Sequence, residues 1–123
     1  MSDRNIVDSS AWLEYFVDSD RAALFAPIIE DTNHLEVPVI TIYEVYKKVL
    51  RERGESDARE ASGMMQSGRV VDVDITLVIE AAQLQLPLAD SLIYAVALRE
   101  SATLWTQDSH FKGLAQVNYF AKT

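Results

Sequence analysis

Cysteine is absent from this sequence, and proline and glycine are scarce, with three prolines and four glycines among 123 residues. Without cysteine the chain forms no disulfide and no thiolate metal site, which fits a protein of the cytoplasm. No apolar run approaches the roughly 20 residues that cross a bilayer. The polar start, "MSDRNIVDSS", lacks the basic and apolar parts of a signal peptide. We therefore expect a cytoplasmic protein without membrane contact, folded as one domain over residues 1–123.

Positive charge is scarce as well. There are 11 Lys and Arg against 19 Asp and Glu, which gives a net charge of −8. Such a charge repels nucleic acid at long range and excludes a general nucleic-acid coating protein. An acidic protein still handles phosphates when its acids bind divalent cations, because the ions supply the positive field. Four of the cations fall in "KKVLRER" (47–53), for which a solvated helix face is the simplest interpretation.

Short apolar segments alternate with helical patterns along the chain. We predict strands at "NIV" (5–7), "VPVI" (37–40), "RVVDV" (69–73), "TLWT" (103–106) and "VNYF" (117–120). Helical patterns separate them, and Pro27 should kink or divide the first. This alternation predicts an α/β fold of three layers, α/β/α, around a central, mainly parallel sheet of four to five short strands.

Four acidic residues stand near the strand ends. Asp8 follows the first strand, Asp108 follows the fourth by two residues, Glu44 lies in the first turn after the second, and Asp90 opens the helix before the fourth. In parallel sheets, ligands bind outside the carboxyl ends of the strands. Helix capping explains each acid singly: Asp8, Asp90 and Asp108 as N-caps, and Glu44 with Thr41 as a capping box.

Together the four acids indicate a different role. On its helix, Asp90 shares a face with apolar residues, namely Ile93, Tyr94, Ala97 and Leu98. A carboxylate there is costly unless it is paired or bound to metal. Helix N-termini favour negative charge by only about 0.3–1 kcal/mol each, which does not offset four converging carboxylates. An all-oxygen ligand set suits Mg²⁺ or Mn²⁺, provided that the side chains converge.

Four sequence blocks also carry a family likeness. In chain order they are "IVDSSAW" (6–12), "TIYEVYKKV" (41–49), "LPLADSLIYAVAL" (86–98) and "LWTQDSHF" (104–111). Their order and spacing resemble PIN-domain ribonucleases, and among these the toxins of VapBC-type toxin–antitoxin pairs. The resemblance covers residues 5 to about 120 and implies a PIN-like three-layer fold. The sequence departs from the family pattern in one place, because the helical segment between "RVVDVD" and "LPLAD" is short. We therefore expect a difference from the family at the edge of the sheet or at the entry to the site.

The resemblance implies a site and a set of partners. Asp8, Glu44, Asp90 and Asp108 would bind one or two Mg²⁺ or Mn²⁺ ions for hydrolysis of RNA phosphodiester bonds. Three further positions match the family pattern: the hydroxyl of Thr106, the small polar Ser10 and the apolar loop anchor Phe111. The family also implies a homodimer and a small cognate antitoxin protein that covers or disturbs the acidic crevice.

Three basic residues near these acids have two interpretations each. Lys47 and Lys48 either contact the RNA backbone or pair with Glu44, three and four residues earlier. His110 is either a general acid or a loop histidine without a catalytic role. Trp12 and Trp105 are expected in the core rather than under stacked bases.

Other readings of the sequence compete with the nuclease. Asp72-x-Asp74-x-Thr76 is similar to the aspartyl-nucleophile motif of haloacid-dehalogenase-type phosphatases, but the following glycine is missing and the motif lies in mid-chain. A receiver-like signalling domain has this length and clustered acids, yet serines follow Asp8 and Asp108 stands where a lysine belongs. A PIN-like fold that only binds RNA or a partner protein stays open.

Overall fold

The structure is a computed structural model that describes residues 3–122, so Met1, Ser2 and Thr123 of the predicted domain lie outside the described residues. The strands in that range are β1 (Asn5–Val7), β2 (Glu36–Pro38), β3 (Arg69–Val71), β4 (Thr103–Thr106) and β5 (Val117–Tyr119). The α-helices are α1 (Ser9–Phe16), α2 (Ala22–Glu30), α3 (Val39–Arg53), α4 (Glu55–Met65), α5 (Ile75–Ala82) and α6 (Leu88–Glu100). None of these helices is both long and apolar enough to cross a membrane.

Every strand pair in the described range is parallel. β1 lies beside β4 with Ile6 opposite Leu104, and β5 extends this sheet on the other side of β4. β2 and β3 form a second pair, and one parallel bridge between Asn5 and Leu35 joins it to β1. The resulting order is β3-β2-β1-β4-β5. The predicted fold class, with a parallel sheet of short strands, is confirmed.

Alternation along β1 separates two cores, one on each face of the sheet. Successive side chains of a strand point to opposite faces, so Ile6 and Val7 enter different clusters. The cluster around Ile6 lies under α5 and α6 and includes Leu77, Ile93, Val96, Leu104 and Phe111. The cluster around Val7 lies under α1 to α4 and includes Trp12, Phe25, Val45, Ala58 and Met65. Helices thus cover both faces, as the three-layer prediction requires.

The boundary between β2 and α3 differs from the prediction of a strand over 37–40. The strand ends at Pro38, and the helix begins at Val39. Proline has no N–H to give to a strand ladder, and its fixed φ, here −59°, suits the residue before a helix. The strand preference of Val39 and Ile40 is overridden, because packing decides such positions more strongly than propensity.

The first helical region is divided, but not at Pro27. Helix α2 contains Pro27 and continues to Glu30. The break between α1 and α2 lies at residues 17–21, where Asp18 adopts a left-handed φ of 51°. The predicted division at Pro27 is therefore wrong, and the alternative, a kink there, stays a prediction.

Charged side chains balance one another at the amino ends of the strands. Glu36 in β2 is only 3% exposed and accepts a hydrogen bond from Arg69 in β3. Arg69 and Arg4 each donate to Glu100 at the end of α6, both at 2.9 Å. The hydrogen bond from Arg69 is the main reason that the pKa of Glu100 lies below its usual value. Glu36 and Glu100 are thus both paired with arginines at this edge, and Arg99 adds a further contact to Glu100 at 3.7 Å.

Gly68 is expected to be intolerant of a side chain. A Cβ at this position would lie 2.9 Å from the backbone oxygen of Leu35, whereas a Cβ at Gly63, within α4, would meet nothing within 4 Å. Gly68→Ala should therefore cost about 1–3 kcal/mol of unfolding free energy. Gly63→Ala should add about 0.5–1 kcal/mol, since alanine favours helix. Urea denaturation measures both, and equal effects of the two substitutions would contradict the close approach of β3 to Leu35.

Candidate active site

Asp8 begins the site at the carboxyl end of β1. It is the N-cap of α1, and its Oδ1 accepts the backbone N–H of Ala11 at 3.1 Å. Its Oδ2 accepts the hydroxyl of Thr106 at 2.6 Å, and the Ser10 hydroxyl lies 3.3 Å from Oδ1. The side chain is 3% exposed. Burial is the main reason that the pKa of Asp8 rises to about 6.

Thr106 connects Asp8 with Asp108. It ends β4 and is fully buried. Its hydroxyl donates to Asp8 and accepts the backbone N–H of Asp108 at 2.9 Å. Asp108 in turn caps the 3₁₀ turn of residues 109–111 by accepting the N–H of His110 at 2.9 Å. The parallel pairing of β1 and β4 brings these residues together, although Asp8 and Thr106 are 98 positions apart.

Glu44 approaches the site from α3. Because α3 begins at Val39, Glu44 lies in its second turn rather than its first. Its Oε1 accepts the hydroxyl of Ser9 at 2.5 Å. Ser9 is the first residue of α1 and follows Asp8, so this hydrogen bond connects the start of α1 to the second turn of α3.

Asp90 approaches from the first turn of α6. Its pKa is raised, mainly by burial and next by the nearby Asp108 carboxylate. The Nδ1 atom of His110 lies 2.8 Å from Oδ2 of Asp90 and 3.2 Å from Oδ1 of Asp108. These contacts, with that to Asp90 the larger, raise the pKa of His110. One potential ligand atom from each of the three residues lies within 4.8 Å of the others.

The four predicted acids share one crevice. Asp8, Glu44, Asp90 and Asp108 all line a cavity of about 270 Å³, together with Ser9 and Ser10. Lys48 reaches its rim. Among the described residues, only Asp90 and Asp108 of these acids have an ion-pair partner, and that partner is His110. Carboxylate oxygens at this density suit a hard divalent cation, and His110 could add a nitrogen ligand.

The capping explanations hold for two acids and fail for two. Asp8 and Asp108 do cap a helix and a turn. Neither Glu44 nor Asp90 makes a capping bond, because α3 and α6 begin after prolines at 38 and 87. The proposed capping box is therefore wrong: Thr41 donates to the backbone oxygen of Pro38 instead.

The two lysines do not pair with Glu44. Lys48 pairs with Glu52 at 3.7 Å, and the Nζ atom of Lys47 lies 5.6 Å from the centre of the Tyr43 ring. Both side chains are exposed, and Lys48 also lines the crevice.

Other predicted residues lie in the core around the site. Trp12 is buried and stacks on Phe16, while Trp105 stacks on Phe120. Phe111 is fully buried against the ring of Tyr94 and anchors the loop that follows Asp108.

Sequence reasoning missed a buried polar network beside Asp108. Gln107 is 4% exposed and accepts a 2.5 Å hydrogen bond from Arg21. Its amide donates to Glu14 at 3.0 Å, and Arg21 also donates to the backbone oxygen of Phe120. The network joins α1, the α2 start and the ends of β4 and β5. The only signal in the sequence was a polar residue between Thr106 and Asp108.

Asp74, the middle residue of the motif that is similar to the one in phosphatases, has a structural role. Asp74 caps α5 by accepting the N–H of Leu77 at 2.8 Å, and it pairs with Arg99 at 3.1 Å. Asp72 and Thr76 are exposed, and none of the three lines the acidic crevice. The site that the fold builds is the one formed by the four acids.

Many proteins that bind phosphate groups have a parallel α/β sheet whose ligand site lies at the carboxyl ends of the strands, as the acidic crevice does here. Comparison with known protein families identifies the family to which this chain belongs. The sequence profile of the PIN domain matches residues 6–117. The chain belongs to the PIN domain family. No curated protein sequence matches it significantly.

Solved structures agree with this assignment. A toxin–antitoxin complex from Klebsiella pneumoniae has a TM-score of 0.76 and 19% identity, covering 96% of this chain and 99% of that chain. DNA-bound VapBC from Salmonella typhimurium has a TM-score of 0.75 and 14% identity, with 98% of each chain covered. Mycobacterium tuberculosis VapC20, a Sarcin-Ricin loop cleaving toxin, has a TM-score of 0.74 and 17% identity, covering 90% and 95%. At these identities the likeness establishes the PIN fold, and the resemblance to VapC-like structures is confirmed.

A divalent ion is expected to stabilise the fold by binding the crevice. It would relieve the repulsion of the four carboxylates, and a ligand at about 100 times its Kd adds about 2.7 kcal/mol. Thermal unfolding with added Mn²⁺ should therefore show a rise of several degrees in Tm, and Asp90→Asn should lose most of it. Glu80→Gln, an exposed substitution on α5, serves as the control and should keep the rise. An equal rise in Asp90→Asn would assign the ion to another site.

Proposed function

We propose that this chain is a metal-dependent endoribonuclease that hydrolyses RNA phosphodiester bonds as the toxin of a toxin–antitoxin pair. The observation that carries the proposal is the convergence of Asp8, Glu44, Asp90 and Asp108 on one crevice. Membership in the PIN domain family supports a nuclease. The description of the Mycobacterium tuberculosis structure as a Sarcin-Ricin loop cleaving toxin supports RNA as the substrate.

The residues of the crevice have different proposed roles in hydrolysis. A bound Mg²⁺ or Mn²⁺ would supply a more acidic water and neutralise charge on the phosphate. Asp8, Asp90 and Asp108 are the proposed ligands, directly or through water. Glu44 is a ligand or the base that orients the attacking water. Thr106 holds the Asp8 carboxylate in a single orientation through its 2.6 Å hydrogen bond.

Ser10 and His110 act beside these ligands. The Ser10 hydroxyl lies within 3.4 Å of both Asp8 oxygens and limits their movement. His110 touches Asp90 and Asp108, so it is within reach of a leaving oxygen at the crevice. As a general acid it would need a protonated imidazole, whereas as a metal ligand it would offer a neutral nitrogen, so the two proposed roles are alternatives.

An antitoxin partner is proposed on the face formed by α1, α3 and α4. Phe16, Val17, Val49 and Met64 give apolar surface to a groove there of about 180 Å³, and Arg53, Asp57 and Glu60 line it as well. Leu13 lines both this groove and the acidic crevice, so a segment bound in the groove could reach the acids. Several similar structures are complexes of toxin with antitoxin, which supports such a partner.

A homodimer is proposed through a second apolar surface. Ile75 is 79% exposed and Leu88 is 78% exposed, and Val78 and Ile79 of α5 are exposed as well. Ile75, Val78 and Ile79 share one face of α5 at helical spacing, and exposed apolar residues grouped in this way are typical of a protein interface. We propose that the single PIN-like domain, residues 1–123, works as this dimer in the cytoplasm.

Cleavage of RNA tests the proposed activity directly. Purified wild-type protein with total cellular RNA should give discrete fragments in Mg²⁺ or Mn²⁺ and none in EDTA. Asp8→Asn and Asp90→Asn should each lower the rate at least about 100-fold, because each removes a charge that the ion requires. Glu80→Gln should cleave like the wild type.

Two other outcomes would contradict the proposal. Equal cleavage by the Asp8→Asn and Asp90→Asn proteins would reveal a contaminant and refute the site. Binding of RNA without cleavage, in either ion, would favour a PIN-like domain that only binds.

Co-expression with the neighbouring small reading frame tests the partners. We expect a stable complex, and we expect RNA cleavage to fall at least about tenfold, because the partner covers or disturbs the acids. Met64→Glu in the apolar groove should weaken the complex, while Glu80→Gln should not. Light scattering on the isolated chain should give the mass of two copies. Unchanged cleavage and no complex would refute the toxin–antitoxin proposal, and a monomer mass would refute the dimer.

A further inference from the structure

Arg21 lies outside the acidic crevice but is connected to the loop that carries one of its acids. It occupies the N-cap position of α2, and its backbone N–H donates to the Ser19 hydroxyl at 3.2 Å. Its side chain is only 24% exposed. The residues that line the crevice in the described range include neither Arg21 nor Gln107. An effect of Arg21 on the geometry of the crevice must therefore pass through another residue.

The guanidinium group of Arg21 joins two segments of the chain. Its Nε atom donates to Oε1 of Gln107 at 2.5 Å, and its Nη2 atom donates to the backbone oxygen of Phe120 at 2.9 Å. Because the guanidinium is planar and rigid, it holds these two acceptors at a fixed separation. Phe120 is also bound to the end of β4, since its N–H donates to the backbone oxygen of Thr106 at 2.9 Å. Arg21 thus completes a closed ring of contacts around residues 106 and 107.

Glu14 of α1 binds the other end of the Gln107 amide. Nε2 of Gln107 donates to Oε2 of Glu14 at 3.0 Å, and the same oxygen lies 3.7 Å from Nε of Arg21. The Gln107 side chain is buried, and a buried amide without partners costs free energy. Arg21 and Glu14 together remove that cost only when Gln107 occupies this one position.

Asp108 lies between two fixed points of its loop. Gln107 precedes it directly, and the fully buried Phe111 follows it three residues later. Its carboxylate is 28% exposed and lines the crevice. A metal ligand has to lie within about 0.2 Å of its ideal distance from the ion. A small displacement of Gln107 would therefore weaken the contact of Asp108 with a bound ion.

We propose that Arg21 is a positioning residue, which holds the Asp108 carboxylate in place through Gln107 so that the crevice binds its divalent ion at full affinity. The proposal rests on the proposed function, because it requires an ion in the crevice. Groups that orient a ligand without touching the metal change metal affinity by about 10- to 100-fold. Arg21 and Gln107 are 86 positions apart, so no local sequence pattern reveals this role.

Charge and position predict opposite effects of removing Arg21. Loss of a positive charge near an acidic crevice raises the affinity of the crevice for another cation. Loss of the hydrogen bonds to Gln107 and Phe120 would instead release the loop that carries Asp108, and the affinity would fall. The direction of the change in Kd therefore separates the two effects.

Titration with Mn²⁺ tests the proposal, with the free ion followed by electron paramagnetic resonance so that Kd does not depend on RNA cleavage. Arg21→Gln removes the guanidinium, and Arg21→Lys keeps the charge without the planar pair of donors. Both should raise Kd about tenfold. Where Arg21→Gln does not fold, Arg21→Lys is the deciding variant.

Two control variants separate charge and stability from position. Arg59→Gln removes an arginine that pairs with Glu55 on the exposed side of α4, so it makes the same change in charge away from Gln107. Gly68→Ala should lower Tm at the amino edge of the sheet without touching the Arg21 contacts. Both controls should keep Kd within about twofold of the wild type at a temperature where each protein is folded.

An exchange of side chains between positions 14 and 107 tests whether Gln107 is the link. Gln107→Glu alone places a second carboxylate against Glu14, and Kd should rise about tenfold although the added negative charge attracts Mn²⁺. The double variant Glu14→Gln/Gln107→Glu restores one amide and one carboxylate and keeps an acceptor for Arg21. Its Kd should return to within about threefold of the wild type.

A Kd for Arg21→Gln at or below that of Arg59→Gln would overturn the positioning role. A rise in Gly68→Ala as large as that in Arg21→Gln would reduce the effect to stability and overturn the role as well. Failure of the double variant to recover would remove Gln107 as the link. If the wild type binds Mn²⁺ and cleaves RNA while both Arg21 variants bind Mn²⁺ like Arg59→Gln, the nuclease stands and the positioning role fails. If the wild type neither binds Mn²⁺ nor cleaves RNA, both proposals fail.

Discussion

The buried carboxylate of Asp8 is the constraint on which the carboxyl edge of the sheet depends. Burial opposes its charge and raises its pKa to about 6, so the fold must supply hydrogen bonds to hold it. One comes from the backbone of Ala11 at the start of α1, and another from the hydroxyl of Thr106 at the end of β4. The same hydroxyl accepts the N–H of Asp108. A single carboxylate thus fixes the start of a helix, the ends of two strands and the course of the loop that carries the last acid.

The two edges of the sheet differ in how far their acidic residues are paired with basic ones. At the amino edge, Glu36 and Glu100 are matched by arginines, so the buried carboxylate there is compensated within the protein. At the carboxyl edge, the four acids have only His110 as an ion-pair partner among the described residues. A fold selected for stability alone would gain by balancing both edges, because like charges at close range destabilise the folded state. The imbalance at one edge is what the proposed cation site requires, because a bound ion would supply the missing positive charge.

Much of this arrangement was predictable, and the failures have identifiable causes. Alternating short strands and helices indicated the parallel sheet, and Asp8 and Asp108 were recognised as possible caps because capping depends on neighbours in sequence. The roles of Glu44 and Asp90 were harder to predict, because they depend on where α3 and α6 begin. Prolines at 38 and 87 precede these two helices. At α3, the apparent capping box of Thr41 and Glu44 indicated a later helix start than the one that Pro38 sets. The bond from Ser9 to Glu44 joins residues 35 positions apart, and no local pattern encodes it. Convergence itself follows from strand register, which the sequence alone left undetermined and the family resemblance supplied.

Net charge and local charge act on RNA at different distances. At physiological salt the screening length is about 8 Å, so an RNA strand at the acidic crevice would meet the nearest charges rather than the net charge of −8. In the proposed nuclease, Lys47 and Lys48 would attract the phosphates of the RNA, while the four acids would repel the phosphate that is to be cleaved. A divalent ion in the crevice reverses that repulsion. Ion and RNA must then strengthen each other's binding by the same factor, because coupling between two ligands is reciprocal. The uncompensated acids would thereby make the protein a poor ligand for RNA without the ion, and the ion would determine when the substrate enters the site.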